Sequence, residues 1–244
     1  MTAERHFAKG LAFLTAYSWS HSIDVISTTA AGGVQNPLCL NCDRGSSDFD
    51  LRHSLVVSAS YELPFGKGKM FGKSATGAAD WLLSGWKLNG IGTFQAGSPF
   101  SVTTSTNTLG AGAGTQRANV VGDWHLSNPR PDLWFNPAAF ATPAAYQYGN
   151  SGRNVVVGPG TDQIDASLFK IIRLKFREGS RLEFRTEAFN ILNKPQFNNP
   201  NQSGANATAS TIGIATAGKL NVAGNVAFFQ RTSREIQLAM KLYF

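Results

Sequence analysis

Charged residues are scarce in this chain. They make up 15% of its 244 residues, against ~25% in ordinary soluble domains. Long apolar runs are missing as well. No stretch approaches the ~18 consecutive apolar residues of a membrane helix, which excludes such a helix. It does not exclude a membrane-crossing strand, whose two faces alternate and cancel in a hydropathy average; mean hydropathy is -0.14. Cysteine is limited to Cys39 and Cys42, and the four histidines (His6, His21, His53, His125) show no helical or clustered spacing with them. A zinc site would want a second such pair, and a thioredoxin-like site a βαβ context that is absent; in an outward loop of an oxidising compartment a small disulfide is the expected state. Met1 leads into T-A-E-R-H-F with no basic head and apolar core, so no signal segment is recognised. The net charge is +7. The basic residues are scattered at strand ends and turns (Lys67, Lys69, Lys73, Arg173, Lys175, Arg177, Arg181, Arg185), and no basic helix or RNA-binding motif emerges, which argues against a nucleic-acid partner.

What is present is alternation. The final stretch, 234–244, places Ile236, Leu238, Met240, Leu242 and Phe244 on one face and Glu235, Gln237, Ala239, Lys241 and Tyr243 on the other. That is the length a tilted strand needs to cross a bilayer. Ending on Phe244 with alternating hydrophobics behind it, the stretch resembles the C-terminal assembly signal of bacterial outer-membrane proteins, carried by Leu238, Met240, Leu242 and Phe244. Similar alternation predicts strands over about 5–20, 53–63, 86–96, 163–176 and 181–190. The fifth carries a charged row, Arg181, Glu183, Arg185 and Glu187, suited to a wet lumen. Gly90 and Gly92 interrupt the third strand. Lys170 falls in the apolar row of the fourth, where a midplane position costs roughly 2–4 kcal/mol. A bulge, snorkelling or a shifted register is expected there.

The connections alternate in length. Long polar stretches (21–50, 97–162, 191–233) take every second place, and shorter ones (64–85, and Arg177-Glu178-Gly179-Ser180) fall between them. Long loops on one side and short turns on the other are the outer-membrane pattern. The fold expected is all-β: antiparallel up-and-down strands forming the C-terminal segment of a transmembrane outer-membrane β-barrel. The cell outer membrane of a Gram-negative bacterium follows as the location. The competing reading is a secreted or surface-exposed β-sandwich that binds carbohydrate or polymer through aromatic loops.

Several motifs carry a family likeness. S-D-F-D-L-R-H (47–53) running into Y-E-L-P-F-G-K-G (61–68), G-W-K-L-N-G-I (85–91), Q-A-G-S-P-F (95–100), D-A-S-L-F-K (165–170), R-L-E-F-R-T-E-A-F-N-I-L-N-K-P-Q-F (181–197) and the last eleven residues appear in order. Together they resemble the TonB-dependent transporters of the Oar-like β-barrel type. The resemblance implies a large barrel filled by an N-terminal plug and driven by an inner-membrane TonB complex. On this resemblance the chain corresponds to the last part of that barrel only, and no plug domain is expected in it. Its implied partners are outer-membrane lipid, the rest of the barrel and plug of a longer transporter, the TonB complex through that plug, and the outer-membrane assembly machinery.

No catalytic constellation, metal site or cofactor site emerges, and no enzyme is expected. Gly68-Lys69-Met70-Phe71-Gly72-Lys73-Ser74 is one residue short of a P-loop, and the phosphate cradle depends on that spacing. Gly110-Ala-Gly112-Ala-Gly114 reads as flexible loop. Asp162 with Asp165, and Glu183 with Glu187, read as solvated or salt-bridged pairs. The loop aromatics Trp124, Trp134, Phe135, Phe140, Tyr146 and Tyr148 either line an outward ligand site or pack a folded loop.

Overall fold

The computed structural model describes residues 1–8, 10–27, 34–110, 116–174, 179–199, 211–212, 220–222 and 233–244. Lys175 and Phe176 of the expected fourth strand, Arg177 and Glu178 of the expected turn, and Gly112 and Gly114 lie outside them.

Seven antiparallel strands form one meandering sheet: β1 (Thr2–Ala8), β2 (Leu11–Trp19), β3 (His53–Glu62), β4 (Trp86–Gln95), β5 (Thr161–Arg173), β6 (Arg181–Phe189) and β7 (Glu235–Tyr243). Each pairs with its neighbour in sequence. The described strands thus form a single up-and-down wall, not the two packed sheets of a sandwich. β1 and β7 stand at the ends of the strand order.

The single strand expected over about 5–20 is a hairpin. The chain reverses at Gly10, whose φ is +83°, a left-handed value that costs a glycine little and other residues more. A Cβ there would lie 3.1 Å from the Glu62 carbonyl oxygen, and Glu62 N donates to Gly10 O at 2.8 Å. Counting this hairpin preserves the alternation of connections. Gly10, the 63–85 connection, Leu174, Ser180 and Phe244 all lie at one end of the sheet, and the described parts of 21–50 and 97–162 lie at the other.

The registers place one apolar row across the sheet. Leu55 pairs with Phe94, Tyr61 with Leu88, Leu168 with Leu88 and Thr186, Phe184 with Met240, and Leu182 with Leu242. Leu88, Phe184, Ile236, Leu238, Met240 and Leu242 are exposed on this face. The opposite face is polar, with Ser54, Ser58, Ser60, Asn89, Thr93, Glu183, Arg185 and Glu187, because strand side chains alternate. It holds an apolar island where Ser58 pairs with both Leu14 and Ile91, and Phe169 and Ile171 also lie on this face.

Packing accounts for Gly92. A Cβ on it would lie 3.0 Å from Cε2 of Phe94, whose ring folds back over the bare backbone. Gly90 has no comparable neighbour, and nothing in the structure explains it.

Lys170 is accommodated without a bulge. Its strand pairs continuously from Ala166 to Arg173 on one side and from Thr161 to Lys170 on the other. The residue lies near the short-connection end instead of the midplane. Its ammonium reaches the carbonyl oxygens of Leu82, at 2.9 Å, and Ser84. Those carbonyls belong to the end of a short helix, α1 (Gly77–Leu83), within the stretch expected as plain connection. Seven residues are too few to show a helical period.

Candidate functional site

The long stretches 21–50 and 97–162, expected to lack regular structure, fold together into a cap at one end of the sheet. Its core is Phe100, Val102, Ala118, Phe135, Ala139, Phe140 and Val156, all buried, with Val120, Trp124, Trp134 and Val155 packed around them. Short antiparallel pairs frame it: Pro99–Phe100 with Val156–Val157, and Asn119–Val120 with Phe140–Ala141. Phe135 meets Phe100 at 6.0 Å and Phe140 edge-on at 5.7 Å between ring centroids, the offset geometry that aromatic quadrupoles favour.

Of the aromatics with two open readings, the structure divides the set. Phe135 and Phe140 are core, and Trp124 and Trp134 cover it. Trp134 Nε1 donates to Val157 O at 2.8 Å, so its polar atom is satisfied. Tyr146 and Tyr148 point outward, at 83% and 43% exposure. Tyr146 has a φ of 60°, rare for a bulky residue and worth a functional question. Its amide is held by Thr108 O at 2.7 Å.

The cap is tied by polar links that no local sequence signal announces. Cys39 and Cys42 are joined by a disulfide at the start of the one-turn helix Leu40–Asp43. That turn presents Asp43 to Arg117, and the two form a buried ion pair. Arg117 also donates to Cys42 O at 3.1 Å and Ser151 O at 2.9 Å, while its amide donates to Gln35 Oε1 at 2.7 Å. A buried guanidinium needs such multiple partners. A second knot joins Arg153 to Asp24, Ser27 and Asp48. Asn154 Nδ2 donates to Ser46 O and Asp48 Oδ1, each at 2.7 Å.

These links also set the carboxylates. Burial disfavours the charged form of Asp24, but hydrogen bonds from Ser47, Arg153 and Ser27 and the Arg153 charge outweigh it, so its pKa lies below the ordinary value. Asp50 behaves alike. Burial opposes its charge, and the Ser22 amide, Arg52 and His21 prevail, so its pKa is also lowered.

On the polar face, Glu183 and Glu187 flank Arg185 at 3.2 and 3.7 Å, and Arg185 lies over the Phe169 ring at 4.4 Å. Asp162 pairs with Lys194, and Asp165 accepts from the Asn190 amide at 2.8 Å and from Gln163. Both carboxylate pairs singled out in the sequence are therefore occupied by partners. A groove of about 470 Å³ opens at the cap end of the apolar face between Leu55, Phe94, His53 and the Asp162–Lys194 pair. Among the described residues, no group of three or more His, Cys, Asp and Glu is placed to hold a metal ion. No helix among them is long and apolar enough to cross a membrane, which says nothing of strands.

The family model described as "Outer membrane beta barrel domain" matches residues 1–237. The chain belongs to that family. Membership implies association with the outer membrane of a Gram-negative bacterium. The alternating wall is thus an outer-membrane β-barrel wall, with the apolar row toward lipid and the polar row toward the lumen. No curated relative and no solved structure matches the chain. Leu238, Met240, Leu242 and Phe244 lie beyond the matched range of this outer membrane beta barrel domain. The structure places Leu238, Met240 and Leu242 on β7 and Phe244 directly after it, all four exposed on the lipid-facing row.

Proposed function

We propose that the chain is the wall-forming C-terminal part of a TonB-dependent transporter of the Oar-like type, with its cap on the extracellular side. The observation that carries the reading is the open sheet. Among the described residues the sheet has seven strands, fewer than the ~8 of the smallest single-chain barrels, and its order runs from β1 to β7 without returning. Such a wall needs further strands, and the ordered motifs across the chain resemble the last strands of these transporters.

On this reading the chain is a passive wall with no catalytic step. The lumenal island of Leu14, Val56 and Ile91, each at least a third exposed, is a seat for the plug. The outward Tyr146 and Tyr148 are substrate-facing groups of the cap. TonB coupling resides in the plug, and the assembly machinery reads the Phe244 end.

The test is the coding frame upstream of Met1. A frame that stays open through more alternating strands, a plug and a leader supports the reading. A stop codon and ribosome-binding site directly before Met1 would sink the transport function. Recovery of the full-length product as a soluble monomer from the periplasm or medium would sink it too.

A further inference from the structure

The connection between β3 and β4 holds an unusual surface. Its helix exposes Trp81 and Leu82, at 58% and 62%, and the preceding turn exposes Met70 and Phe71, at 79% and 54%. Three lysines (Lys67, Lys69, Lys73) and one aspartate (Asp80) accompany them. Short connections of a barrel ordinarily show polar turn residues to water, because exposed apolar side chains there gain nothing.

The position of the helix explains the pattern. Lys170 and Trp86 are opposed in the register on the lipid-facing row. The Lys170 ammonium and the Trp86 indole N–H both donate to Leu82 O, each at 2.9 Å, and Lys170 also donates to Ser84 O. Gly85 completes the fixture. A Cβ on it would lie 2.2 Å from Ile171 O, and its own carbonyl accepts from Ile171 N at 2.9 Å. The C-terminal end of α1 is therefore pinned to the lipid-facing side of the sheet, directly below its apolar rows.

The nearby acids are already engaged. Asp80 accepts from the Lys67 amide at 3.0 Å and from the Ser84 hydroxyl, and Glu62 pairs with Lys69 at 3.2 Å. The Lys67 and Lys73 side chains stay exposed beside the apolar groups. Exposed Trp and Leu next to lysines is the composition that lies in a bilayer interface, with the apolar groups ~5–10 Å deep and the ammonium groups at anionic headgroups.

We propose that this connection is a membrane-surface anchor. Trp81 and Leu82 enter the interfacial layer of the phospholipid leaflet at the short-connection end, Lys67 and Lys73 meet its phosphates, and Lys170 is the positioning residue that holds the helix there. The proposal rests on continuity with the lipid-facing wall and on the charge of the connection. It does not depend on the transport reading, and it survives if no TonB-linked uptake exists.

The experiment uses the protein from producing cells, held in discs of its native membrane lipid. Tryptophan fluorescence is quenched either by stearate carrying a nitroxide near its headgroup or by aqueous acrylamide, and Trp81→Phe is subtracted from the unaltered protein. The expected Trp81 signal is quenched several-fold more by the nitroxide lipid than by acrylamide. Lys170→Met shifts it toward acrylamide. The double substitution K67Q/K73Q lowers the preference for discs enriched in phosphatidylglycerol over phosphatidylcholine. Trp81→Tyr serves as the second variant if the phenylalanine form does not fold, with heat-modifiable gel migration as the check on folding. A Trp81 signal open to acrylamide overturns the proposal. So does one shielded from both quenchers, which would mean that a protein element covers the helix instead.

Discussion

Arg117 and Asp43, separated by 74 positions in the chain, form an ion pair whose side chains are 7% and 1% exposed. The pair joins two loops that leave the sheet at different strands, and it sits inside the cap that closes one end of the wall. Removing one partner leaves a buried charge uncompensated, which costs ~3–5 kcal/mol. Asp43→Asn and Arg117→Met should each raise hydrogen exchange across 35–43 and 116–151 while the sheet amides stay protected. Unchanged exchange in the cap would show that the pair does not hold the loops together.

The cap core should respond to truncation independently of the wall. Phe135 is 1% exposed between Phe100 and Phe140, so Phe135→Ala should cost ~3–5 kcal/mol of local stability. Limited proteolysis would cut the cap first and leave the sheet resistant. Tyr146→Ala, by contrast, should change stability by no more than ~0.5 kcal/mol. On the transport reading it should also weaken uptake or ligand capture by the assembled receptor. A Tyr146→Ala receptor with full uptake would remove that residue from the substrate surface.

Acid should loosen the cap. Asp24 and Asp50 have folded pKa values below the ordinary 3.8. The stability they contribute is fully present above that value and is lost as pH falls below it through their folded pKa values. Tryptic or pepsin-type cleavage sites in the cap, probed after brief acid exposure, should open in that range. Asp24→Asn should weaken the dependence, and a cap with no acid transition would contradict it.

Gly10 should tolerate no branched side chain. Its φ of +83°, together with the 3.1 Å that would separate a Cβ at this position from Glu62 O, makes Gly10→Val strained at the β1–β2 reversal. Lower yield of the heat-modifiable folded form is the expected result. Equal yield would mean that the reversal can be made another way.

The wall was legible in the residues themselves. Ile236 to Phe244, Leu55 to Leu63 and Leu182 to Ala188 announce strands because a strand side chain must face one of two environments, and that period is local. The extra strand before Gly10 was hidden because one glycine in a row of small residues looks the same whether the chain runs on or turns. Lys170 looked misplaced for a related reason: the row shows its face, but not its height in the wall or the helix carbonyls that hold its ammonium.

The cap is far less legible. Its aromatics are visible, yet nothing local separates Phe135, buried in the core, from Tyr146, turned to solvent. Gln35, Asp43, Arg117 and Arg153 are isolated polar residues in Gly-, Ser- and Asn-rich stretches, and no motif marks them. By itself the sequence determined most of the strands, their two faces and the alternation of long and short connections, because each follows from local periodicity and turn chemistry. Only the tertiary structure decided which loop residues become core, which charges are buried together and where α1 rests, because those depend on chain segments meeting across many tens of residues, where burial, and not spacing, chooses the partner.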